Sequence, residues 1–206
     1  HFATADSLET LDFQIQIKRF VEAMRSIEAA GFDPGIVHCD NSAATYRFPK
    51  THFDMCRLGI SMYGYQAAPD THKLIDLRPA MSVHARITNV MTVPMSEGVS
   101  YGMNYRSPGS VKICTVPIGY ADGLNRHLGR GNAYCLVNGK KAPYVGNICM
   151  DVCMIDVTDI DCREGDKAVI FGDDLPITTL SDKLGTIPYE VLTSISNRVK
   201  RVYYQD

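Results

Sequence analysis

No stretch of this sequence approaches the roughly 18 consecutive apolar residues of a membrane span, and no basic segment followed by an apolar core opens it. Neither a spanning helix nor a secretory leader is expected within these residues. Charge of one sign is equally scarce: 21 Lys and Arg against 23 Asp and Glu leave a net charge of -2. That removes the general electrostatic case for nucleic acid or an anionic membrane as a partner. There is no repeat at a solenoid period, no low-complexity tract and no block of like charge. What is present is 45% apolar and 21% charged residues, a composition that excludes disorder. Its 206 residues amount to about 1.4 average domains, enough for one large core or two small ones. Any partner must therefore be recognised by a site.

A disulfide framework is missing as well. Cys39, Cys56, Cys114, Cys135, Cys149, Cys153 and Cys162 are odd in number and scattered, which favours reduced thiols and a cytoplasmic setting. Cys149-x3-Cys153 has no second Cys/His pair at finger-like spacing and sits in a strand-like alternation. Its cysteines read as small buried hydrophobes, and no metal is expected.

The opening, His1-Phe2-Ala3-Thr4-Ala5-Asp6, alternates apolar and polar residues where a domain commonly frays, and reads as the interior of something longer. Ser7 to Thr10 resemble a helix N-cap, and Phe13, Ile17, Phe20, Val21, Met24 and Ile27 follow at helical spacing until Ala30-Gly31. Ile36 to Cys39 and Met55 to Ile60 read as short parallel strands, with a short helix from Ala43 to about Tyr46 between them. In such βα units the functional residues sit at the carboxyl ends of the strands. Beyond Pro69-Asp70 the texture becomes all-β. Runs at 80–93, 111–117, 133–137, 153–157 and 167–171 are punctuated by Pro108-Gly109, Asn138-Gly139 and Gly172-Asp173-Asp174. Short helices are expected over 179–184 and 188–195, and a closing strand over 199–204.

Five phrases are polar where a core is apolar, or glycine-rich beside an aromatic. Arg57-Leu58-Gly59-Ile60 places an arginine in an apolar run, where it is either paired with a buried carboxylate or faces a ligand. In His38-Cys39-Asp40-Asn41-Ser42-Ala43-Ala44, Ser42 either caps the next helix or holds a phosphate there. Val99-Ser100-Tyr101-Gly102 and Pro117-Ile118-Gly119-Tyr120-Ala121-Asp122-Gly123 each set a tyrosine against a glycine, so that a phenol can be presented instead of packed. Val145-Gly146-Asn147-Ile148-Cys149-Met150-Asp151 is, by itself, a strand with an ordinary acid.

Taken in order with the opening HFATAD and the closing SISNRV and RVY, these phrases resemble the carboxy-terminal half of the alanine racemase family, fold-type III pyridoxal-phosphate enzymes. The resemblance covers essentially the whole chain. It implies α/β plus all-β architecture: the last βα units of a TIM-type (α/β)8 barrel over residues 1–75, then a carboxy-terminal β domain over 76–206. None of the lysines here stands in the family's V-x-K-A-x-A-Y-G context, so the Schiff-base lysine is expected in a preceding amino-terminal half.

The resemblance also implies roles. Arg57 faces the pyridine nitrogen of pyridoxal 5'-phosphate and, with a pKa above about 12, leaves it unprotonated. His1 lies beside the ring and hydrogen-bonds toward Arg57, while Ser42 with the backbone of Gly59 and Ile60 holds the phosphate. Racemisation needs a base on each face of the α-carbon, and Tyr101 is the one opposite the lysine. Met150 and Asp151 project near the substrate carboxylate, and Tyr120 with Arg126 lines the access corridor. A head-to-tail homodimer with composite sites and a small amino-acid substrate follows. The implied activity interconverts L- and D-alanine, an isomerase step supplying D-amino acid for peptidoglycan.

Asn197 replaces the tyrosine common before the terminal Arg-Val, Lys200 stands where proline is common, and Asn147 where arginine is frequent. A smaller, more polar Asn197 admits a serine hydroxymethyl, so a serine/alanine racemase linked to glycopeptide resistance is the alternative, even as the soluble cytoplasmic domain of a membrane-anchored protein. Two rivals remain. A decarboxylase of the same barrel type meets the ring nitrogen with an acid, against which Arg57 argues. An inactive fragment would give only a dimer interface and half a cofactor site.

Overall fold

A computed structural model describes residues 1–204. The chain forms two compact units, the first spanning His1–Ala80 and the second beginning at Met81.

In the first unit, helix α1 runs over Leu11–Ala29. Its apolar stripe buries Phe13, which stacks on Phe48 at 3.8 Å between ring centroids and tilts against Phe2 at 4.5 Å. Ala5, Cys39, Ala43, Ala44 and Ala68 complete this core. The helix starts at Thr10 without a side-chain cap; the Ser7 hydroxyl instead accepts the Glu9 amide at 3.2 Å. Gly31, at φ +82°, ends it as expected. Helix α2 covers Ser42–Arg47, and its cap is Asn41, whose side chain accepts the Ala44 amide at 3.0 Å. Arg47 reaches back from α2 to the carbonyls of Ala5 and Ser7, both at 2.6 Å, and to Asp70 at 3.2 Å, fastening the opening segment.

The strands expected at 36–39 and 55–60 do not form. Asp54 donates to the Val37 carbonyl at 3.0 Å and Arg57 to that of Asp40 at 3.1 Å, so the two segments run parallel. Two bonds three residues apart do not make the evenly spaced ladder of a parallel pair.

The second unit is built on nine strands: β1 Val83–Arg86, β2 Asn89–Val93, β3 Gly98–Val99, β4 Tyr105–Arg106, β5 Val111–Val116, β6 Tyr134–Val137, β7 Lys140–Val145, β8 Cys153–Asp156 and β9 Lys167–Phe171. Seven form one antiparallel sheet in the order β1-β9-β6-β7-β8-β5-β2, while β3 pairs only with β4. The expected single run at 80–93 is split because Ile87 bonds to Asp166 beside β9 whereas Thr88 bonds to Thr115 on β5. β1 and β2 thus lie at opposite ends of the sheet order yet are joined by two residues, which requires the sheet to curl upon itself. Asn138 and Gly139, both at positive φ, make the tight β6–β7 turn. The core packs Cys135, Val137, Tyr144, Cys153, Ile155 and Phe171. Helices α3, Thr178–Leu184, and α4, Pro188–Ser194, follow. The closing strand expected over 199–204 is absent: Tyr203 and Tyr204 are exposed, and no strand of the sheet pairs with this segment.

Candidate active site

The parallel course of segments 37–40 and 54–57 sets Arg57 beside His38 in the first unit. The Arg57 guanidinium donates to Nδ1 of His38 and, at 2.8 Å, to Nδ1 of His1; a longer bond of 3.4 Å reaches the Cys39 carbonyl. An arginine is always charged and has no acceptor, so both imidazoles accept through Nδ1 and carry their protons on Nε2. The Arg57 phrase by itself leaves the partner open; the bonds are to His1, the partner implied by the resemblance, and to His38, which was not foreseen, and no carboxylate lies within 4.0 Å of Arg57 among the described residues. Ser42 is buried and does not cap α2; its Oγ accepts the Gly59 amide at 2.8 Å. That bond ties the start of α2 to the 3-10 turn Ile60–Tyr63. Ile60 is buried, and Ser61 carries a buried hydroxyl with no partner.

Tyr101, Tyr120, Arg126, Met150, Asp151 and Asn197 all belong to the second unit. Tyr101 is 77% exposed at the tip of the β3–β4 hairpin, presented by positive φ at Ser100, Gly102 and Met103. Buried Asn147 holds that tip from below. Its Nδ2 donates to the Tyr101 carbonyl at 2.8 Å, its Oδ1 accepts from Arg130 Nε at 2.8 Å, and its backbone carbonyl accepts from Ser100 Oγ at 2.8 Å. Gly146 makes the approach possible, since a Cβ there would stand 2.6 Å from the Ser100 Cβ.

Tyr120 donates to the Cys149 carbonyl and Ala121 to that of Met150, each at 3.0 Å. A Cβ on Gly119 would lie 2.2 Å from that Met150 oxygen, so only glycine fits. Arg198 then joins three phrases, donating to Asp122 and Asp151, both at 2.6 Å. Burial alone would raise the Asp122 carboxyl, but Arg198 and the Gly119 amide together hold it below the usual carboxylate range. The two carboxylates in turn raise Arg198 above its ordinary value. Tyr120 and Arg126 line a cavity of about 550 Å³ with Leu124, Phe171, Glu190 and Ile195. Tyr101, Met150, Asp151 and Asn197 lie outside it. Asn197 is exposed and its Oδ1 accepts from Arg201 at 3.1 Å.

Arg198, Asp122, Ser100 and Arg130 were not singled out by sequence. Asp122 and Ser100 stand inside the phrases already noted, and Arg198 inside SISNRV, but their partners are 47 to 76 residues distant. The cysteines of the β core are buried thiols: burial pushes Cys135 and Cys114 up to about 12 and Cys153 well above its usual value.

Residues 1–67 match the family described as alanine racemase, N-terminal domain, and residues 80–203 that described as alanine racemase, C-terminal domain. The chain belongs to the alanine racemase family. Alanine racemases of Desulfovibrio desulfuricans and Methanococcus maripaludis are 44% and 42% identical to it, over 100% and 98% of the chain and 56% of each relative. The Bacillus anthracis alanine racemase with bound L-Ala-P superposes with a TM-score of 0.94 at 38% identity, covering 100% of this chain and 54% of that one. The Clostridium difficile alanine racemase in complex with cycloserine gives 0.91 at 38% identity, over 98% and 54%. The chain thus spans about half the length of the curated relatives it matches, and its fold is that of the carboxy-terminal part of an alanine racemase. The family is pyridoxal-phosphate-dependent in general. The first unit fits such a group: a guanidinium fixed by histidines suits a ring nitrogen, and the orphaned buried Ser61 hydroxyl in the helical turn Ile60–Tyr63, whose preceding Gly59 is tied to Ser42, suits an anion. Among the described residues no helix is long and apolar enough to cross a membrane.

Proposed function

We propose that this chain is the carboxy-terminal half of a pyridoxal-phosphate-dependent racemase that interconverts L- and D-alanine in the cytoplasm, with residues 1–75 ending the cofactor barrel and 76–206 forming the β domain. The observation that carries the reading is Arg57, held between His1 and His38 with no carboxylate within 4.0 Å of its guanidinium among the described residues. Bound pyridoxal phosphate supplies an electron-withdrawing ring that acidifies the substrate α-C–H. Arg57 presents only donors to the ring nitrogen and cannot give up a proton, which distinguishes this site from one that protonates that nitrogen with an acid. His1 keeps the guanidinium aimed. Ser42, already accepting the Gly59 amide, has its own proton left for the phosphate; the Ile60 amide donates to the same group directly, and the Gly59 backbone acts by holding Ser42 in place.

Tyr101 moves a proton on one face of the α-carbon, opposite the lysine of the amino-terminal half. Met150 and Asp151 orient the substrate carboxylate, and Tyr120 with Arg126 lines the corridor to it. Each site is completed across a homodimer, Tyr101 and the Met150-Asp151 pair serving the partner subunit. Asn197 faces the substrate side chain; with Oδ1 accepting from Arg201, the group it offers a serine hydroxyl is the Nδ2 donor, which favours serine as a second substrate.

The test is Arg57→Glu in the complete, lysine-bearing protein. Racemisation is expected to fall about a hundredfold or more, with transamination products rising relative to racemisation. Unchanged racemisation without side products would refute the reading.

A further inference from the structure

We infer that Asp40, His52 and Cys56 form a binding site for a zinc-class divalent cation in the first unit. Their ligand atoms all lie within 4.8 Å of one another, and both His52 Nε2 and Cys56 Sγ stand 4.0 Å from the same oxygen, Oδ2 of Asp40. One carboxylate oxygen, one imidazole nitrogen and one thiolate are the mixed donor set that zinc accepts, and three protein ligands leave a fourth position for water. Tetrahedral zinc with its usual bond lengths separates such ligands by about 3.3–3.6 Å. Closing the site thus needs the two pairs at 4.0 Å to draw in by about half an ångström and the His52–Cys56 pair, within 4.8 Å, by no more than about 1.3 Å. His52 and Cys56 are both partly exposed and lie outside helix and strand, so an ion can reach them from solvent.

Asp40 itself points to a cation. Its side chain is fully buried, and burial pushes the carboxyl up from its ordinary range. A buried carboxylate is normally satisfied by strong donors or an ion pair. Asp40 instead has one hydroxyl, Thr51 Oγ1 at 2.8 Å, whose single proton is shared with the Phe48 carbonyl at 2.7 Å. Its remaining neighbours are thiols, Cys39 at 3.7 Å, also shared with the Thr51 carbonyl, and Cys56 at 4.0 Å. Among the described residues the His52 imidazole is the only basic side chain with a nitrogen within 4.0 Å, and the Arg57 charge acts on Asp40 only from farther away. A divalent ion supplies the missing charge at Oδ2. On binding, Cys56 releases its thiol proton to solvent as the sulfur–metal bond forms. His52, whose Nε2–H donates to the Thr45 carbonyl at 2.8 Å, gives up that bond, loses the Nε2 proton to solvent and takes one from solvent on Nδ1, so that the neutral ring ligates through Nε2. The ion would clamp the start of α2 to the segment carrying Arg57.

The experiment uses the full chain without a polyhistidine tag, reduced and stripped with EDTA, then titrated with Zn²⁺ and, separately, Co²⁺. One equivalent of Zn²⁺ is expected per chain, Co²⁺ should develop a sulfur-to-metal charge-transfer band, and Zn²⁺ should raise the melting temperature. Cys56→Ser and His52→Ala should weaken Zn²⁺ by more than the roughly 10–100-fold that loss of a merely supporting residue costs. The band and the thermal shift should vanish in Cys56→Ser, while Cys162→Ser keeps all three responses. Asp40→Asn should melt no lower than the metal-free parent yet lose the ion, which separates ligation from folding. Absence of stoichiometric binding, or binding lost in Cys162→Ser but kept in Cys56→Ser, would overturn the proposal.

Discussion

Asn147 donates from Nδ2 to the carbonyl oxygen of Tyr101 at 2.8 Å, so a buried amide 46 positions away fixes the hairpin tip that presents the phenol. Replacing it by alanine removes this bond and the one to Arg130. The Tyr101 carbonyl keeps the Asn104 amide at 3.1 Å, and Arg130 is exposed, so the cost should be about 1–2 kcal/mol. Urea unfolding of Asn147→Ala measures this. In the complete enzyme kcat should fall while KM stays near the parent value, because the residue acts through Tyr101. A raised KM with unchanged kcat would assign Asn147 to the corridor instead.

Gly119 has no room for a side chain. Alanine there would press on the Met150 and Cys149 carbonyls, 2.2 and 2.4 Å away, which accept the Ala121 and Tyr120 amides. Gly119→Ala should lose about 2–4 kcal/mol through crowding and weakened bonds. Gly109→Ala, with nothing within 4 Å, is the control and should be near neutral. Equal melting temperatures for the two variants would contradict the close approach.

The Asp122–Arg198 link predicts acid sensitivity. Asp122 is held below its unfolded pKa, near 3.9, so its stabilising contribution is complete above that value. It is lost as pH falls from about 4 through the lower folded value. Asp122→Asn should cost about 1–2 kcal/mol near neutrality and show a shallower loss of stability below about pH 4 than the parent. Parallel stability curves for parent and variant across that window would disprove the assignment.

Substrate preference is read at Asn197. Asn197→Tyr in the complete enzyme should lower turnover of serine relative to alanine, since a bulky ring replaces an amide donor. A serine-to-alanine ratio left unchanged would show that this residue does not face the substrate side chain.

Local signals made α1, its Gly31 stop, the Asn138-Gly139 turn and most strands of the second unit legible in the sequence. Short apolar runs were not sufficient at 36–39 and 55–60, because a parallel strand exists only through its neighbours' bonds and the sequence carries no record of them. The run over 199–204 misled for the same reason. Ser42 reads in sequence as a cap of α2 or a holder of phosphate; the cap is Asn41, which that reading did not consider, and the Ser42 hydroxyl is taken by the amide of Gly59, 17 residues on. The Arg57 phrase alone advertised a partner without saying which; the resemblance supplied His1, whereas His38 was missed because it meets Arg57 only through the parallel course of the two segments. Arg198 was invisible because its two aspartates are brought to it only by the fold.

The central claim is that Tyr101 moves the proton on one face of the α-carbon while the other half of the enzyme serves the opposite face. Exchange of the α-hydrogen of L- and of D-alanine with solvent deuterium, followed separately in Tyr101→Phe of the complete protein, tests it most directly. Exchange of one enantiomer should persist while that of the other slows by about 10²–10⁴-fold. Undiminished exchange of both enantiomers, or an equal loss from both, would contradict the account.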